Sequence, residues 1–169
     1  GARVARLEDE GLLTGKGRFV DDVHVPGALA AAIVRSPHAH AKIRAMDVST
    51  AAALPGVVAV LTAKDLPGPA AHERMPMLMP NVIIKALRTQ HALAVDEVCY
   101  AGQSVAVVVA ESRYVAEDAA ALVDVDYEVL PAISDLKLAL QPGAALAHTD
   151  LDTNLASAFL MNYGDVETA

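Results

Sequence analysis

The sequence is poor in cysteine and in aromatic residues, with one cysteine, no tryptophan and two phenylalanines in 169 residues. The single Cys99 excludes an intramolecular disulfide framework, and the same count is taken to exclude any cysteine-based zinc or iron–sulfur site within this chain. The scarcity of aromatic rings leaves little surface on which nucleobases could stack. The net charge is −8 and no basic cluster occurs, so nucleic acid is excluded as an expected partner.

Long apolar runs are also absent. No stretch approaches the ~20 apolar residues that span a bilayer, and the amino terminus lacks the apolar core of a secretory signal. We therefore expect no membrane association and a cytoplasmic location. Hydrophobic residues make up 54% of the chain and charged residues 20%, a globular composition that suits one domain. The abundance of alanine and valine predicts a core of small and branched side chains.

The common catalytic and phosphate-binding motifs are missing. The stretch GLLTGKG resembles a Walker A loop, but only three residues separate Gly11 from Gly15, and Gly17 replaces the required hydroxyl residue. Neither GxGxxG, GxSxG nor HExxH occurs. The sequence by itself therefore predicts no catalytic, cofactor-binding or metal-binding residues.

A metal site at the two histidines of the stretch SPHAHAKI is the main alternative to a chain without site residues. In a β-strand, His38 and His40 would face the same way and could present two imidazoles to one metal ion. A zinc site needs three or four ligands, however, and no further ligands stand at a matching spacing. Cys99 is expected to be a partly buried structural thiol and not a nucleophile, because no histidine or basic residue lies near it in the sequence.

The regular part of the chain contains two strand–helix–strand units. In the first, LAAAIVRS predicts a buried strand and AKIRAMDV an alternating strand, with Ile43 facing one way and Met46 the other. The helix STAAALPG follows, capped by Asp47 or Ser49, and then the strand VVAVLT.

In the second unit, the apolar strand SVAVVVAES precedes the helix RYVAEDAAALV, which Ser112 can cap. The strand DVDYEVLP alternates strictly, so Val125, Tyr127 and Val129 are predicted to point inward. The expected fold class is α+β, with a mixed sheet covered by two helices.

This pattern divides the chain into segments. Residues 1–28 are predicted to form an extended amino-terminal arm, residues 29–140 the core, and residues 141–169 a carboxy-terminal tail. A long loop, residues 67–92, joins the two units and contains the run MPMLMP. Loops of this length are usually functional or disordered, and methionines form adaptable apolar contacts. A substrate wall, a docking arm and a loop folded over its own sheet are all compatible with this composition.

The phrases RSPHAHAKI, LPGVVAVLT and VDYEVLPA, in this order and spacing, resemble the large subunit of molybdenum hydroxylases. These are the xanthine dehydrogenases, aldehyde oxidases and aerobic carbon monoxide dehydrogenases. The resemblance covers nearly the whole chain and identifies it as similar to the a/b hammerhead domain of that family. It implies that His38 and His40 orient a turn by hydrogen bonding and bind no metal.

The resemblance also implies a function and a set of partners. The family oxidises heteroaromatic, aldehyde or similar small substrates with oxygen from water, and its electrons pass through 2Fe-2S clusters to FAD. The molybdopterin (Mo) loops and the catalytic residue lie in a following region, and the clusters and FAD lie in other domains or subunits. The chain is thus expected to be a structural fragment, inert alone, which supports the molybdopterin region and subunit contacts.

The loop between the two units approaches the substrate funnel in several relatives, so Met77, Leu78 and Met79 are candidate funnel residues. Two alternatives remain open: a free-standing binding or docking module with the same fold and no redox role, and a small histidine-based metal protein.

Overall fold

The structure is a computed structural model, which describes residues 4, 6–76, 88–158 and 164. The candidate funnel residues Met77, Leu78 and Met79 lie outside the described residues. The helices are α1 (Asp9–Leu13), α2 (Ser49–Ala52) and α3 (Arg113–Ala120), and the strands are β1 (Ala30–Arg35), β2 (Ala41–Asp47), β3 (Val57–Thr62), β4 (Glu97–Val98), β5 (Ser104–Ala110) and β6 (Asp124–Val129). Within the described ranges, no helix has the length and apolar character needed to cross a membrane.

The strands form two antiparallel sheets of three strands each. Sheet A has the order β1-β5-β3, and sheet B has the order β4-β2-β6. The α+β class and both strand–helix–strand units are confirmed, but the expected single mixed sheet is wrong. The helices α2 and α3 each join strands of different sheets. For α2 the reason is length, because residues 48–56 are too few for the crossover of a dozen or more residues that parallel strands need.

The core is built from valine and alanine, as the composition predicts. Its largest fully buried side chains are Val98, Val105 and Val108. Ala51 of α2 and Ala119 of α3 pack against Val108 of β5, so both helices cover one face of sheet A. A second cluster, around Val98 and Val105, lies against sheet B. Small residues let the backbones of these layers approach closely.

Three predictions about strand faces are wrong in detail. The strand β1 alternates and is not buried throughout, and Ile33 is 45% exposed. Val129 is 62% exposed, although Val125 and Tyr127 do pack on the core. Met46 also packs on the core, because a bulge interrupts the pairing of β2 with β6. One extra residue on β2 there reverses the faces of the residues that follow.

The predicted caps of α2 and α3 can each be compared with a hydrogen bond in the structure. The hydroxyl oxygen of Ser112 accepts a hydrogen bond from the Val115 amide at 3.3 Å, which confirms the cap of α3. At α2, Oδ1 of Asp47 accepts from the Ser49 amide at 2.8 Å, so Asp47 and not Ser49 supplies the acceptor. The arm of residues 1–28 carries the short helix α1 and is not extended throughout.

Candidate functional site

A cavity of about 820 Å³ opens beside sheet B. Three parts of the chain form its walls: the described flanks of the 67–92 loop, the segment around β4, and a turn in the carboxy-terminal tail. Its lining residues are His72, Arg74, Met75, Pro76, Arg88, Thr89, Gln90, His91, Val95, Asp96, Glu97, Cys99, Tyr100, Gln103, Ala147, His148, Thr149 and Asp150. Many of these lining residues carry titratable side chains.

Three potential metal ligands of different chemistry converge in this cavity. The Sγ atom of Cys99 lies 3.2 Å from Nδ1 of His148. A carboxylate oxygen of Glu97 completes the group, and the three ligand atoms all lie within 4.8 Å of one another. Among the residues that the structure describes, this is the one such group of three or more. We call it the Glu97–Cys99–His148 cluster.

Neighbouring residues fix the positions of Glu97, which lies on β4, and of Cys99, which directly follows β4. Oε1 of Glu97 lies 2.9 Å from Nε2 of His40, and it accepts a hydrogen bond from the Thr149 amide at 3.2 Å. The buried side chain of Gln103 accepts a hydrogen bond from the Cys99 amide at 2.7 Å. These contacts position the carboxylate of Glu97 and the backbone of Cys99, and they involve neither the thiol of Cys99 nor the imidazole of His148.

The turn that carries His148 is held by a single asparagine. The side-chain oxygen of Asn154 accepts from the Ala147 amide at 2.8 Å, and its amide group donates to the carbonyls of Ala139 and Ala145 at 3.0 and 2.9 Å. These three bonds shape the chain immediately before His148. They bring the imidazole to a thiol 49 positions away in the sequence.

The cavity changes the acidity of each member of the cluster. Burial, reinforced by the negative charge of Glu97 and a hydrogen bond to it, raises the pKa of the Cys99 thiol to about 12. Burial would raise the pKa of Glu97 as well, but hydrogen bonds from His40 and Thr149 outweigh it, so that this pKa lies below its usual value. Burial and the charge of Arg74 lower the pKa of His148. In the protein alone, Cys99 is thus a thiol.

Two arginines line the cavity beside the cluster, and both face the same carboxylate. Nε of Arg88 lies 3.1 Å from Oδ2 of Asp150, and a guanidinium nitrogen of Arg74 lies 3.9 Å from the same oxygen. Arg74 also donates to the carbonyl oxygen of Thr89 at 2.8 Å, which ties the two flanks of the 67–92 loop together. Asp150 offsets part of the positive charge that the arginines bring.

The two histidines of SPHAHAKI do not converge. The ring of His38 contacts Tyr127 edge-on, with ring centroids 5.0 Å apart. The ring of His40 is buried and lies against Glu97 and the carbonyl oxygen of Pro131. The turn itself is closed by Ser36, whose hydroxyl oxygen accepts from the His38 amide at 3.0 Å. The ring of His40 thus joins strands. At His38, the backbone amide and not the ring makes the hydrogen bond that closes the turn.

Sequence reasoning missed Glu97 and His148 as site residues. Cys99 is half-buried, as the prediction of a partly buried thiol requires. No histidine lies near it in the sequence, but His148 lies beside it in the folded chain. The proximity of Glu97 and Cys99 on one short segment was visible in the stretch DEVCY. Nothing local in the sequence marks His148.

The described residues do not fit molybdopterin, the cofactor that the resemblance implies. A phosphate-bearing pterin needs close backbone approach and polar groups directed at it. Gly102, which directly precedes the lining residue Gln103, has no atom within 4 Å of the position a Cβ would take, so it forms no tight cradle. No buried side-chain nitrogen or oxygen of the described residues lacks a hydrogen-bond partner. No chemical step on that cofactor is assigned to this chain.

Comparison with known proteins agrees with the fold. Residues 14–131 match the family "Aldehyde oxidase and xanthine dehydrogenase, a/b hammerhead domain". The carbon monoxide dehydrogenase large chain of Afipia carboxidovorans is 46% identical over 94% of this chain and 18% of its own length. The nicotine 6-hydroxylase large subunit of Paenarthrobacter nicotinovorans is 38% identical over 100% of this chain and 20% of its own.

A solved structure of a Cu,Mo-CO dehydrogenase superposes with a TM-score of 0.75 at 44% identity, covering 96% of this chain and 19% of that one. The chain therefore spans about a fifth of the length of the relatives it matches, and it corresponds to one domain of a molybdenum hydroxylase large subunit. With a family match over most of its length and a fold that agrees, the chain belongs to the a/b hammerhead domain family of aldehyde oxidases and xanthine dehydrogenases.

Proposed function

We propose that this chain is a structural domain of a molybdenum-dependent hydroxylase or dehydrogenase. It supports the molybdopterin-binding region of the same large subunit and contacts the domains or subunits that carry iron–sulfur clusters and FAD. The complete protein oxidises a heteroaromatic, aldehyde or similar small substrate. The chain holds no complete active site of its own, and the reaction takes place in the region that it supports.

The observation that carries this proposal is the apolar surface of the amino-terminal arm and of residues 136–140. Large apolar side chains of the arm and of residues 136–140 are exposed over most of their area: Leu7 97%, Leu13 87%, Phe19 66%, Val20 89%, Leu136 86% and Leu140 60%. Concentrated apolar exposure marks a surface that another protein region covers. Each such side chain that becomes buried contributes about 1.5–3 kcal/mol to the contact.

The test replaces apolar arm residues in the complete enzyme. Leu13→Ser and Val20→Ser should lower both the molybdenum content of the large subunit and the amount of iron–sulfur and FAD subunits that copurify with it. Tyr114→Ser is the matched control, since Tyr114 is 80% exposed but lies on α3. Unchanged molybdenum content and unchanged assembly in both arm variants would contradict the supporting role.

We further propose that the 67–92 loop lines the substrate entrance of the complete enzyme, through Met77, Leu78 and Met79. The support comes from the two flanks of the loop. Both described flanks of the loop line the 820 Å³ cavity, with His72, Arg74, Met75 and Pro76 on one side and residues 88–91 on the other. Methionine side chains adapt to apolar ligands of different shape.

Replacing Met77 and Met79 together with alanine should change the ratio of kcat/KM values among several substrates of the complete enzyme. Glu73→Ala is a control from the same loop, because Glu73 is exposed and does not line the cavity. Identical kinetics for every substrate tested would exclude the funnel role, and it would leave the supporting role unaffected.

A further inference from the structure

The Glu97–Cys99–His148 cluster offers three ligand atoms to one side of an open cavity. A thiolate, an imidazole nitrogen and a carboxylate oxygen together suit a borderline-soft divalent cation, and zinc above all. Nothing in the supporting function described above requires this combination. We propose that Glu97, Cys99 and His148 bind one zinc ion, whose fourth position faces the cavity.

The spacing of the cluster is close to that of a tetrahedral site. With metal–ligand distances of about 2.0–2.3 Å, neighbouring ligand atoms lie about 3.3–3.8 Å apart. The Sγ–Nδ1 distance of 3.2 Å is slightly shorter than this, and all three ligand atoms fall within 4.8 Å. A zinc ion enters by small side-chain rotations, and it replaces the contact between the thiol and the imidazole.

The surroundings of the cluster resemble those of metal ligands in general. Ligating side chains are usually oriented by hydrogen bonds from groups behind them. Here His40 and the Thr149 amide hold the carboxylate of Glu97, and Gln103 holds the backbone of Cys99. His40 and Gln103 are both 5% exposed, so this support is rigid and shielded from water.

The charges of the cavity are compatible with a bound cation. Binding replaces the thiol proton, so that Cys99 and Glu97 supply two negative charges to the ion. The two arginines nearby both face Asp150, which offsets part of their charge. The proposal departs from the expectation that a single cysteine excludes a cysteine-based zinc site, because a mixed ligand set needs only one cysteine.

Cobalt(II) is the direct probe, since a tetrahedral cobalt site with one thiolate gives a characteristic charge-transfer absorption in the near ultraviolet. The purified chain is first stripped with a chelator, and its fold is checked by circular dichroism. Titration should give this absorption at one cobalt per chain, and added zinc should abolish it. Elemental analysis of the complete protein should also find zinc at about one per large subunit.

Three variants define the ligands. Cys99→Ser should remove the charge-transfer absorption, and Glu97→Gln and His148→Gln should each weaken cobalt and zinc binding at least about tenfold. His91→Ala is the matched control, because His91 lines the same cavity but its Nδ1 lies 3.1 Å from the Glu73 carbonyl oxygen. The control should bind like the wild type.

The proposal is overturned if the wild type gives no thiolate–cobalt absorption at millimolar cobalt, or if Cys99→Ser binds as tightly as the wild type. Equal weakening in His91→Ala would likewise reject the assigned ligands. If a ligand variant fails to fold, measurements on the wild type still test the proposal. Zinc must then raise its melting temperature and slow alkylation of Cys99, while magnesium must do neither.

Discussion

The imidazole of His40 lies 2.9 Å from Oε1 of Glu97 through Nε2, and 2.8 Å from the carbonyl oxygen of Pro131 through Nδ1. His40 immediately precedes β2, Glu97 belongs to β4, and Pro131 follows β6. One buried ring thus joins the same end of all three strands of sheet B. These contacts give the second histidine of SPHAHAKI a structural role.

We expect His40→Ala to lower the free energy of unfolding by about 1–3 kcal/mol, because it leaves a shielded carboxylate with one partner fewer. His38→Ala is the matched control, since the exchange removes only an edge-on contact with Tyr127. Urea denaturation of both variants checks the difference. Equal losses would contradict the role assigned to His40.

The cap of α3 allows a second test of local energetics. Ser112→Ala removes the acceptor for the Val115 amide and should lower the free energy of unfolding by about 1 kcal/mol. Ser112→Asp keeps an acceptor at the same position and should remain close to the wild type. Thermal unfolding followed by circular dichroism measures both. A stable Ser112→Ala would mean that packing alone fixes the start of this helix.

Asp65 predicts a pH dependence. Its Oδ2 accepts hydrogen bonds from the amide and the hydroxyl of Thr62, both at 2.8 Å, and these bonds lower its pKa from the usual 3.8. A carboxyl whose pKa is lowered in the folded state stabilises the fold above its unfolded pKa. This stabilisation is lost as the pH falls through the folded pKa.

Asp65→Asn should therefore be less stable than the wild type above about pH 5, and the difference should shrink steadily below pH 4. Denaturant midpoints measured from pH 7 down to pH 2.5 check this. Asp126→Asn is a suitable control, because Asp126 is exposed on β6. A difference that does not change with pH would show that the charge of Asp65 contributes nothing.

The reactivity of Cys99 follows from its surroundings. A thiol with a pKa of about 12 holds very little thiolate at pH 8, although the greater nucleophilicity of that thiolate recovers part of the rate. With a chelator present, iodoacetamide should modify Cys99 at least about tenfold more slowly than free cysteine. Mass spectrometry gives the rate. A rate at or above that of free cysteine would mark Cys99 as an activated nucleophile.

Local patterns predicted the elements well where neighbours in the sequence determine the outcome. The helix after Ser112 and the alternating strand after it depend on caps and periodicity within a few residues. The face of Met46 was mispredicted for a different reason. The bulge in β2 arises from its pairing with β6, about eighty positions later, and no feature of AKIRAMDV announces it.

The candidate site was harder to predict than the fold. Glu97 and Cys99 are neighbours in the sequence, but a glutamate and a cysteine two positions apart are common and carry little information. The third member comes from the tail, in a turn that Asn154 shapes through three hydrogen bonds. Such a site depends on tertiary packing, so composition and spacing could not reveal it.

The strand order of sheet A determines when its strands can pair during synthesis on the ribosome. Its outer strands β1 and β3 are synthesised first, but among the strands that the structure describes each pairs only with the central β5. The residues between Thr62 and Ser104 take about 2–8 s to translate at typical rates. During that interval the nascent chain carries two strands with no partner of their own, and their edges are open to other chains. A pause in translation before residue 104 would prolong this exposed state.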